Sequence, residues 1–301
     1  MPLTLLGACP DWVKRGLTVS YRAQLLAGTK SGGSAGSGDA LFLVEGVDGG
    51  KPYGHFFLFA NTYGGVFSYG LSGYLTLPNP SFFVEPREVD RWLKEKPPEN
   101  CRVMGKPGDI TVECKVKGEE QVFRIKYDRS GLIREMITGA WKRGEGWYSQ
   151  QVRLSLTGKG EVKLPPSKKP PRVASTSRTY NLYLVSPMGT VPSGTLQVQY
   201  LGKEGSLLKY SLTGTGYSRE VYGTPLMGPH YMSPELLKRA TIISVPEAGF
   251  QVKATAGVGR TTVRLIYRGN LVEERVYDSS GLLLKATIPS VGGYTVIELA
   301  R

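Results

Sequence analysis

The chain has 301 residues, of which 40% are apolar and 21% charged, and its 38 Lys and Arg against 25 Asp and Glu give a formal net charge of +13. This composition is typical of a globular protein and excludes a disordered one. No run of 18 apolar residues occurs, so no membrane-spanning helix is predicted. The positive charge favours anionic partners, although the basic residues are scattered along the chain as they are on an ordinary basic surface.

Near the N-terminus, Leu6-Gly7-Ala8-Cys9 has the small-residue pattern that precedes a lipidated cysteine in bacterial lipoprotein signals. The residues before it are too few for a complete signal. Either the match is chance or an upstream export signal precedes this sequence. We expect an extracytoplasmic or envelope-associated protein, with a cytoplasmic location as the alternative.

The first predicted strand alternates apolar and polar residues from Leu17 to Leu25, which makes one face apolar and the other wet. The segment from Gly28 to Gly38 follows and is rich in glycine and serine. It lacks the spacing of a phosphate-binding loop, and no helix is predicted after it. We therefore interpret it as a flexible hairpin tip.

Residues 53–74 are crowded with aromatic side chains interrupted by glycines. Within this segment Phe56-Phe57-Leu58-Phe59 is apolar on both faces of a strand, which must then be covered on both sides. Two interpretations stay open, a central strand packed between other elements or a surface that lines a groove for an apolar or sugar-like ligand. The candidate ligand-binding residues are Tyr53, Phe57, Phe59, Tyr63, Phe67 and Tyr69.

A short helix is predicted next, because Pro86 and Glu88 suit a first helical turn and Val89, Trp92 and Leu93 follow at helical spacing.

The two cysteines that follow are predicted to face each other across a hairpin. If residues 106–109 form its turn, residue 106 lies opposite residue 109, and the numbers of all opposed residues sum to 215. The numbers of Cys101 and Cys114 also sum to 215. They fall on a non-hydrogen-bonded pair, where side chains lie close enough for a disulfide. The pair is either a disulfide or two buried thiols, and a disulfide would indicate an extracytoplasmic or thermophilic setting.

Two motifs occur twice along the chain in the same order. The segment from Phe83 to Pro86 returns as Tyr231 to Pro234 (234 − 86 = 148), and that from Tyr127 to Leu132 returns as Tyr277 to Leu282 (277 − 127 = 150). The near-equal offsets predict a duplicated domain. In the second copy, Ser233 and Pro234 suit the N-cap and first position of a short helix.

The predicted fold is therefore mainly β (α+β), with two homologous domains that each contain a curved antiparallel sheet and a short helix packed on it. Repeat 1 spans residues 12–157 and repeat 2 spans residues 179–301. Between them, residues 158–178 form a predicted linker rich in proline and basic residues. Its basic cluster consists of Lys163, Lys168, Lys169, Arg172 and Arg178.

No catalytic, cofactor-binding or metal-binding motif is present. The two histidines, His55 and His230, lie in different repeats without other metal-ligand patterns, and no Gly-x-Ser-x-Gly elbow occurs. Paired carboxylates could still converge in space. We expect a protein that is not an enzyme and needs no cofactor or metal.

A strand that ends in Tyr-Asp is followed in both repeats by a short polar turn with glycine and then by leucine. This pattern resembles the hairpins of lipoprotein-sorting-factor half-barrels, here in two tandem copies. The resemblance covers Tyr127 to Leu132 and Tyr277 to Leu282. In that family a curved antiparallel sheet wraps short helices around a lipid-binding hollow. The resemblance implies a similar fold and lipid binding.

The sequence thus favours a non-catalytic binding or carrier protein for an apolar or amphipathic ligand, with basic residues suited to an anionic head group. One alternative is a structural or surface-assembly protein that self-associates through sheet edges. Nucleic-acid binding is the third interpretation.

Overall fold

The computed structural model describes residues 9–29, 32–62, 65–75, 83–94, 101–116, 120–142, 148–166, 169–290 and 292–300. The chain divides into two units. Unit 1 comprises Met1–Pro52, Phe56–Tyr69 and Tyr74–Gly160, and unit 2 comprises Tyr53–His55, Gly70–Gly73 and Glu161–Arg301.

Unit 1 is built on a nine-stranded antiparallel sheet, sheet 1, with one short helix. The strands are β1 (Leu17–Thr29), β2 (Gly32–Asp48), β3 (Lys51–Thr62), β4 (Gly65–Tyr74), β5 (Cys101–Lys106), β6 (Asp109–Val116), β7 (Glu120–Tyr127), β8 (Ile133–Lys142) and β9 (Tyr148–Glu161). The helix α1 (Pro86–Trp92) lies between β4 and β5 in sequence. The strand order is β4-β3-β2-β1-β9-β8-β7-β6-β5.

Unit 2 is built on a ten-stranded antiparallel sheet, sheet 2, with a second short helix, α2 (Pro234–Leu237). The strands of unit 2 are β10 (Arg178–Ser186), β11 (Gly189–Glu204), β12 (Leu207–Gly214), β13 (Tyr217–Gly223), β14 (Met227–Gly228), β15 (Tyr231–Met232), β16 (Thr241–Val245), β17 (Phe250–Gly257), β18 (Arg260–Tyr267), β19 (Asn270–Asp278), β20 (Leu283–Ser290) and β21 (Gly293–Leu299). Sheet 2 has the order β13-β12-β11-β10-β21-β20-β19-β18-β17-β16, and β14 pairs with β15 separately.

The two sheets have the same topology. In each, the first four strands form a meander, the last strand pairs with the first, and the remaining strands return to the far edge. Among the described residues, sheet 2 has one additional edge strand, β16. The predicted fold class, mainly β with two large antiparallel sheets and few short helices, is confirmed.

The repeated Asp-x-Ser-Gly-Leu turn has the same hydrogen bonds in both units. The Asp128 carboxylate accepts from the backbone N–H groups of Ser130 (2.8 Å) and Leu132 (3.2 Å), and Asp278 accepts from Ser280 (2.9 Å) and Leu282 (2.9 Å). Asp side chains commonly satisfy the backbone groups of turns in this way.

The glycine of each turn is required by two features. Gly131 and Gly281 have φ of 76° and 86°, which strain any residue with a Cβ. A Cβ at Gly131 would lie 1.6 Å from the Val84 carbonyl oxygen, and one at Gly281 would lie 2.0 Å from that of Met232. The turn therefore needs glycine to approach the strand bridge that precedes each helix.

A buried tyrosine of the first strand in each unit closes the sheet onto the strand after this turn. The Tyr21 hydroxyl donates to the Ile133 carbonyl oxygen at 2.9 Å, and the Tyr180 hydroxyl donates to that of Leu283 at 3.0 Å. Both tyrosines are buried. The duplication thus extends to buried side-chain contacts that the two linear motifs did not include.

The helices begin as the sequence predicts. The Ser233 hydroxyl accepts from the Leu236 N–H at 3.4 Å, with Pro234 at the first helical position. In α1, Pro86 occupies the first position, and Val89 and Trp92 are buried. Each helix contributes its apolar side to the core of its own unit.

The hairpin of β5 and β6 has the predicted register, with Cys101 opposite Cys114 and Lys106 opposite Asp109. The two cysteines form a disulfide with their Cα atoms 4.0 Å apart. Their side of the hairpin also carries Ile110 and Val112, so the disulfide lies on the face that bears the core.

Two segments are more regular than expected. The glycine-rich segment is mostly strand, since Gly38 pairs with Ala23 and Gly32 with Thr29. The segment predicted as a linker, 158–178, contains the end of β9 and a 3₁₀ turn, Arg172–Ser175. Ala174 of this turn is buried, and its carbonyl oxygen accepts from the Tyr210 hydroxyl.

Candidate functional site

The aromatic residues predicted to bind a ligand lie on β3 and β4. Leu58 and Phe59 point to opposite faces of β3 and both are buried, so this strand is covered on both sides as predicted. Leu58 belongs to the core of unit 1. On the other face Phe57 and Phe59 stack with ring centroids 6.4 Å apart.

The remaining members of that predicted site are less defined. Tyr53 is buried. Tyr63 lies outside the described residues, and for Phe67 and Tyr69 only the backbone, in β4, is described. The ligand-binding role of these six residues stays a prediction.

Sheet 2 offers a second candidate on the face that carries the core of unit 2, which we call its inner face. At one end of this face the large side chains are fully buried. They include Tyr180, Tyr210, Phe250, Tyr267 and Tyr277. The segment before α2 covers part of this end, since the Tyr210 ring contacts those of His230 and Tyr231 at centroid distances of 5.2 and 6.3 Å.

Away from this covered end, one row of directly opposed residues crosses four strands of the inner face. Arg275 of β19 pairs with Ala286 of β20, Ala286 with Ile297 of β21, and Ile297 with Leu182 of β10. We call these four residues the Arg275 row. Because neighbouring strands are about 4.8 Å apart, the row is about 14 Å long.

Exposure rises across the inner face from the covered end. Ala286 is buried, Ile297 and Leu182 are partly exposed, and Leu184, two residues further along β10, is 49% exposed. Val191, opposite Leu184, is 60% exposed. Apolar residues at this end of the sheet therefore contact solvent instead of core.

The Arg275 row begins at an ion pair. The Arg275 Nε lies 2.7 Å from Oε1 of Glu273, and Nη2 lies 3.0 Å from Oε2, so the guanidinium and carboxylate form two parallel hydrogen bonds. The side chains are 28% and 12% exposed. Because β19 alternates its side chains, both share the inner face with Tyr277.

This environment shifts the pKa of the Arg275 guanidinium and that of the Tyr277 phenol. Burial lowers the pKa of the Arg275 guanidinium, but the charge of Glu273 outweighs that effect and raises it above its ordinary value. Burial raises the pKa of Tyr277, and the charge of Arg275 reduces this shift. The guanidinium therefore stays charged and the phenol stays neutral at any physiological pH.

The Tyr277 hydroxyl is the unusual atom of this site. It is buried, it interacts with the Arg275 side chain, and it makes no hydrogen bond of normal geometry to any residue that the structure describes. A poorly satisfied buried hydroxyl is costly, so its presence here calls for an explanation such as contact with a ligand.

Sequence reasoning missed this site, although a signal was present. With the offset of 150 between the repeats, Glu273 and Arg275 stand where repeat 1 has Phe123 and Ile125. Two charges that replace two apolar residues at alternating positions of a strand indicate that the face is no longer ordinary core.

The face of sheet 1 opposite its core, its outer face, carries four described cations that pair with carboxylates. Glu113 is nearly buried between Arg102 and Arg124, each with a nitrogen 2.7 Å from its carboxylate. Glu135 contacts Lys126 at 3.1 Å and also Arg153. Because carboxylates alternate with these cations, the face is a weaker candidate for a polyanion than the net charge suggests.

A polar groove of about 570 Å³ lies beside the start of β10. Its lining includes Arg178, Thr179, Gln197 and Gln199. The Arg178 Nη1 already donates to the Ser177 carbonyl oxygen at 2.8 Å. Val198, Leu299 and Ala300 also line the groove, but polar side chains are the majority, so it suits an amphipathic molecule less well than the Arg275 row does.

Within the described ranges, no helix is long and apolar enough to cross a membrane. In the same part of the chain, no group of three or more His, Cys, Asp or Glu side chains could hold a metal ion.

Comparison with known proteins adds little. No protein-family model matches the chain, and no curated protein matches it. Among solved structures it is similar to a protein with unknown function from the DUF3598 family of Nostoc punctiforme PCC 73102, with 9% identity, full coverage of both chains and a TM-score of 0.21. A likeness at this level carries no argument about fold or function.

Proposed function

We propose that this protein is a non-catalytic binding or carrier protein for an amphipathic ligand, and that unit 2 binds it. The ligand's apolar part would lie along the Arg275 row and its polar end would lie at Arg275 and Glu273. The observation that carries the proposal is the partly exposed apolar row that ends at a partly buried ion pair on the inner face of sheet 2.

The hydrophobic effect supports the apolar part of the site. Transfer of apolar surface from water is worth about 25 cal/mol per Å², so exposed Leu and Ile side chains on a sheet face favour an apolar occupant. Large exposed apolar patches on soluble domains are typically binding sites. The resemblance of the repeated turns to those of lipoprotein-sorting-factor half-barrels agrees with a lipid-like ligand.

Titration with a pyrene-labelled C16 chain tests this proposal. Leu182→Glu places a charge in the middle of the row and should weaken binding at least 10-fold. Asn181→Glu is the matched control, because the neighbouring residue of β10 points to the outer face, and it should bind like the wild type. Equal binding by the two variants, or no binding by the wild-type protein, would contradict the proposal.

Two other outcomes would favour the alternatives. Concentration-dependent oligomers that Leu182→Glu disrupts, without probe binding, would favour self-assembly. Oligonucleotide binding that weakens steeply with salt would favour nucleic acid.

We further propose that the protein works outside the cytoplasm. The disulfide between Cys101 and Cys114 supports this, because such bonds are stable mainly in oxidising compartments. Thiol alkylation of the protein in its native cells, followed by mass spectrometry, tests it. Both cysteines alkylated without prior reduction would contradict an oxidising location.

A further inference from the structure

The ion pair of the unit 2 site limits the chemistry of the ligand's polar end. Glu273 already neutralises Arg275 through two hydrogen bonds, and the carboxylate is only 12% exposed. An anionic head group would add a negative charge to a neutral, largely buried pair. Burial of an uncompensated charge is strongly unfavourable.

Hydrogen-bonding capacity nevertheless remains at this site. A guanidinium has five N–H donors, and only Nε and one Nη2 donor contact Glu273. Each carboxylate oxygen of Glu273 accepts one bond from Arg275 and can accept another. The buried Tyr277 hydroxyl interacts with the guanidinium and has no other hydrogen-bond partner among the described residues.

The site therefore combines free donor capacity on Arg275 with free acceptor capacity on Glu273. A hydroxyl group matches both, because it accepts from the guanidinium and donates to the carboxylate. A carboxylate or phosphate could use only the donors and would face the negative charge of Glu273.

We propose that the ligand is an uncharged long-chain molecule whose head carries hydroxyl groups, such as a fatty alcohol or a monoacylglycerol, rather than a fatty acid or an anionic lipid. This inference rests on the proposed function of the unit 2 site. It adds that Glu273 is the residue that excludes anions.

A second cation on the inner face does not change this conclusion. Arg219 of β13 lies 5.5 Å from the ring centroid of Tyr217. It is six strands from Arg275 in sheet 2, or about 29 Å along the sheet. One small head group cannot contact both arginines, so Arg219 serves as a control.

The experiment compares probes of equal chain length at pH 8, palmitate, hexadecanol and 1-monopalmitoylglycerol, each displacing the pyrene-labelled chain. Wild-type protein should bind the two hydroxyl-bearing probes at least 10-fold more tightly than palmitate. Glu273→Gln keeps the shape of the side chain but removes its charge, and it should bind palmitate at least 10-fold more tightly than the wild type does.

The control Arg219→Gln should leave the order of the three probes unchanged, and thermal unfolding should show that each variant is folded. If the wild type prefers palmitate, or if Glu273→Gln leaves the ratio unchanged, the inference is wrong while the binding function stands. If no probe binds the wild type, the proposed function and this inference both fail.

Discussion

The two units share one topology, but corresponding rows of residues differ in exposure. The row is buried on the face of sheet 1 that carries the core, and it is partly exposed on the inner face of sheet 2. In sheet 1, Ile125 pairs with Met136 and Met136 with Leu154, and all three are buried. In sheet 2 the corresponding row begins with Arg275 and continues to the partly exposed Ile297. Common topology therefore did not preserve a common use of this face.

The helices of the two units also differ in length. Helix α1 has seven residues and ends at Trp92, which is 4% exposed and packs edge-on against Tyr127 with ring centroids 5.8 Å apart. Helix α2 has four residues, and the offset of 148 puts Ala240 where unit 1 has Trp92. Unit 1 thus has a longer helix and a buried tryptophan at a position where unit 2 has alanine.

The largest expected effect concerns this tryptophan. Trp92→Ala should destabilise the protein by about 3–5 kcal/mol, because it removes a large buried side chain and leaves a cavity. Leu184→Ala, in the uncovered part of sheet 2, should cost less than about 1 kcal/mol because that residue is half exposed. Urea unfolding followed by circular dichroism measures both.

Trp92→Phe provides a milder variant if Trp92→Ala does not fold, and it should still cost more than Leu184→Ala. Equal costs for the variants of the two units would show that the uncovered part of sheet 2 is packed as well as the core of unit 1.

A buried histidine should make unit 2 sensitive to acid. His230 Nε2 donates to the Val173 carbonyl oxygen at 2.9 Å, and burial lowers the pKa of His230 from 6.5 to about 4. The unfolded chain takes up a proton on His230 at higher pH than the folded chain does. The contribution of His230 to stability is therefore fully present above pH 6.5 and is lost as the pH drops toward 4. The shift is worth about 3 kcal/mol.

The offset of 148 puts Phe82 of repeat 1 at the position of His230. His230→Phe should therefore remove this part of the acid sensitivity. Unfolding free energies at pH 7 and pH 4.5 test it, and a variant whose loss of stability matches that of the wild type would contradict the assignment.

The shared turns should respond alike. Gly131→Ala and Gly281→Ala each force a Cβ into positive φ and against a carbonyl oxygen, so each should cost about 1–3 kcal/mol. Gly269→Ala, with φ of 82° and nothing within 4 Å of its Cβ, separates the backbone strain from the clash. A cost at either turn no larger than at Gly269 would mean that the close approach contributes nothing.

The smallest effect concerns Cys9, which packs against the core of unit 1. Burial, with smaller contributions from Glu85 and Asp11, raises its pKa to about 11. Because the thiolate is the reactive form, alkylation by iodoacetamide at pH 8 should be slower than for a free cysteine and should accelerate as the pH approaches 11. A rate at pH 8 equal to that of cysteine in an unfolded peptide would exclude this burial.

Local features could be predicted where one short segment determines them. The residue numbering around the predicted turn predicted that Cys101 lies opposite Cys114, and the pattern around Ser233 predicted the N-cap of α2. The glycine-rich segment was harder, because the pairing of Gly38 with Ala23 depends on the neighbouring strand. Glycine composition alone favours a loop, and tertiary pairing overrides that preference.

The candidate site could not be predicted from one strand. Arg275 and Glu273 are recognisable as unusual only once the repeats are aligned, and their role depends on Ala286, Ile297 and Leu182 from three other strands. The aromatic segment is predicted to bind a ligand because its residues lie close together in the sequence, and in the structure Tyr53 and Phe59 of that segment are buried.

By itself the sequence determined the strand alternation, the two repeated motifs and the helix starts, because each of these is set by residues close in the chain. Only the tertiary structure decided which part of each inner face is covered. That depends on how far a helix extends over the sheet and on which side chains the register brings opposite one another. Burial depends on tertiary contacts. A linear pattern therefore shows which residues are apolar but not which of them stay in contact with water.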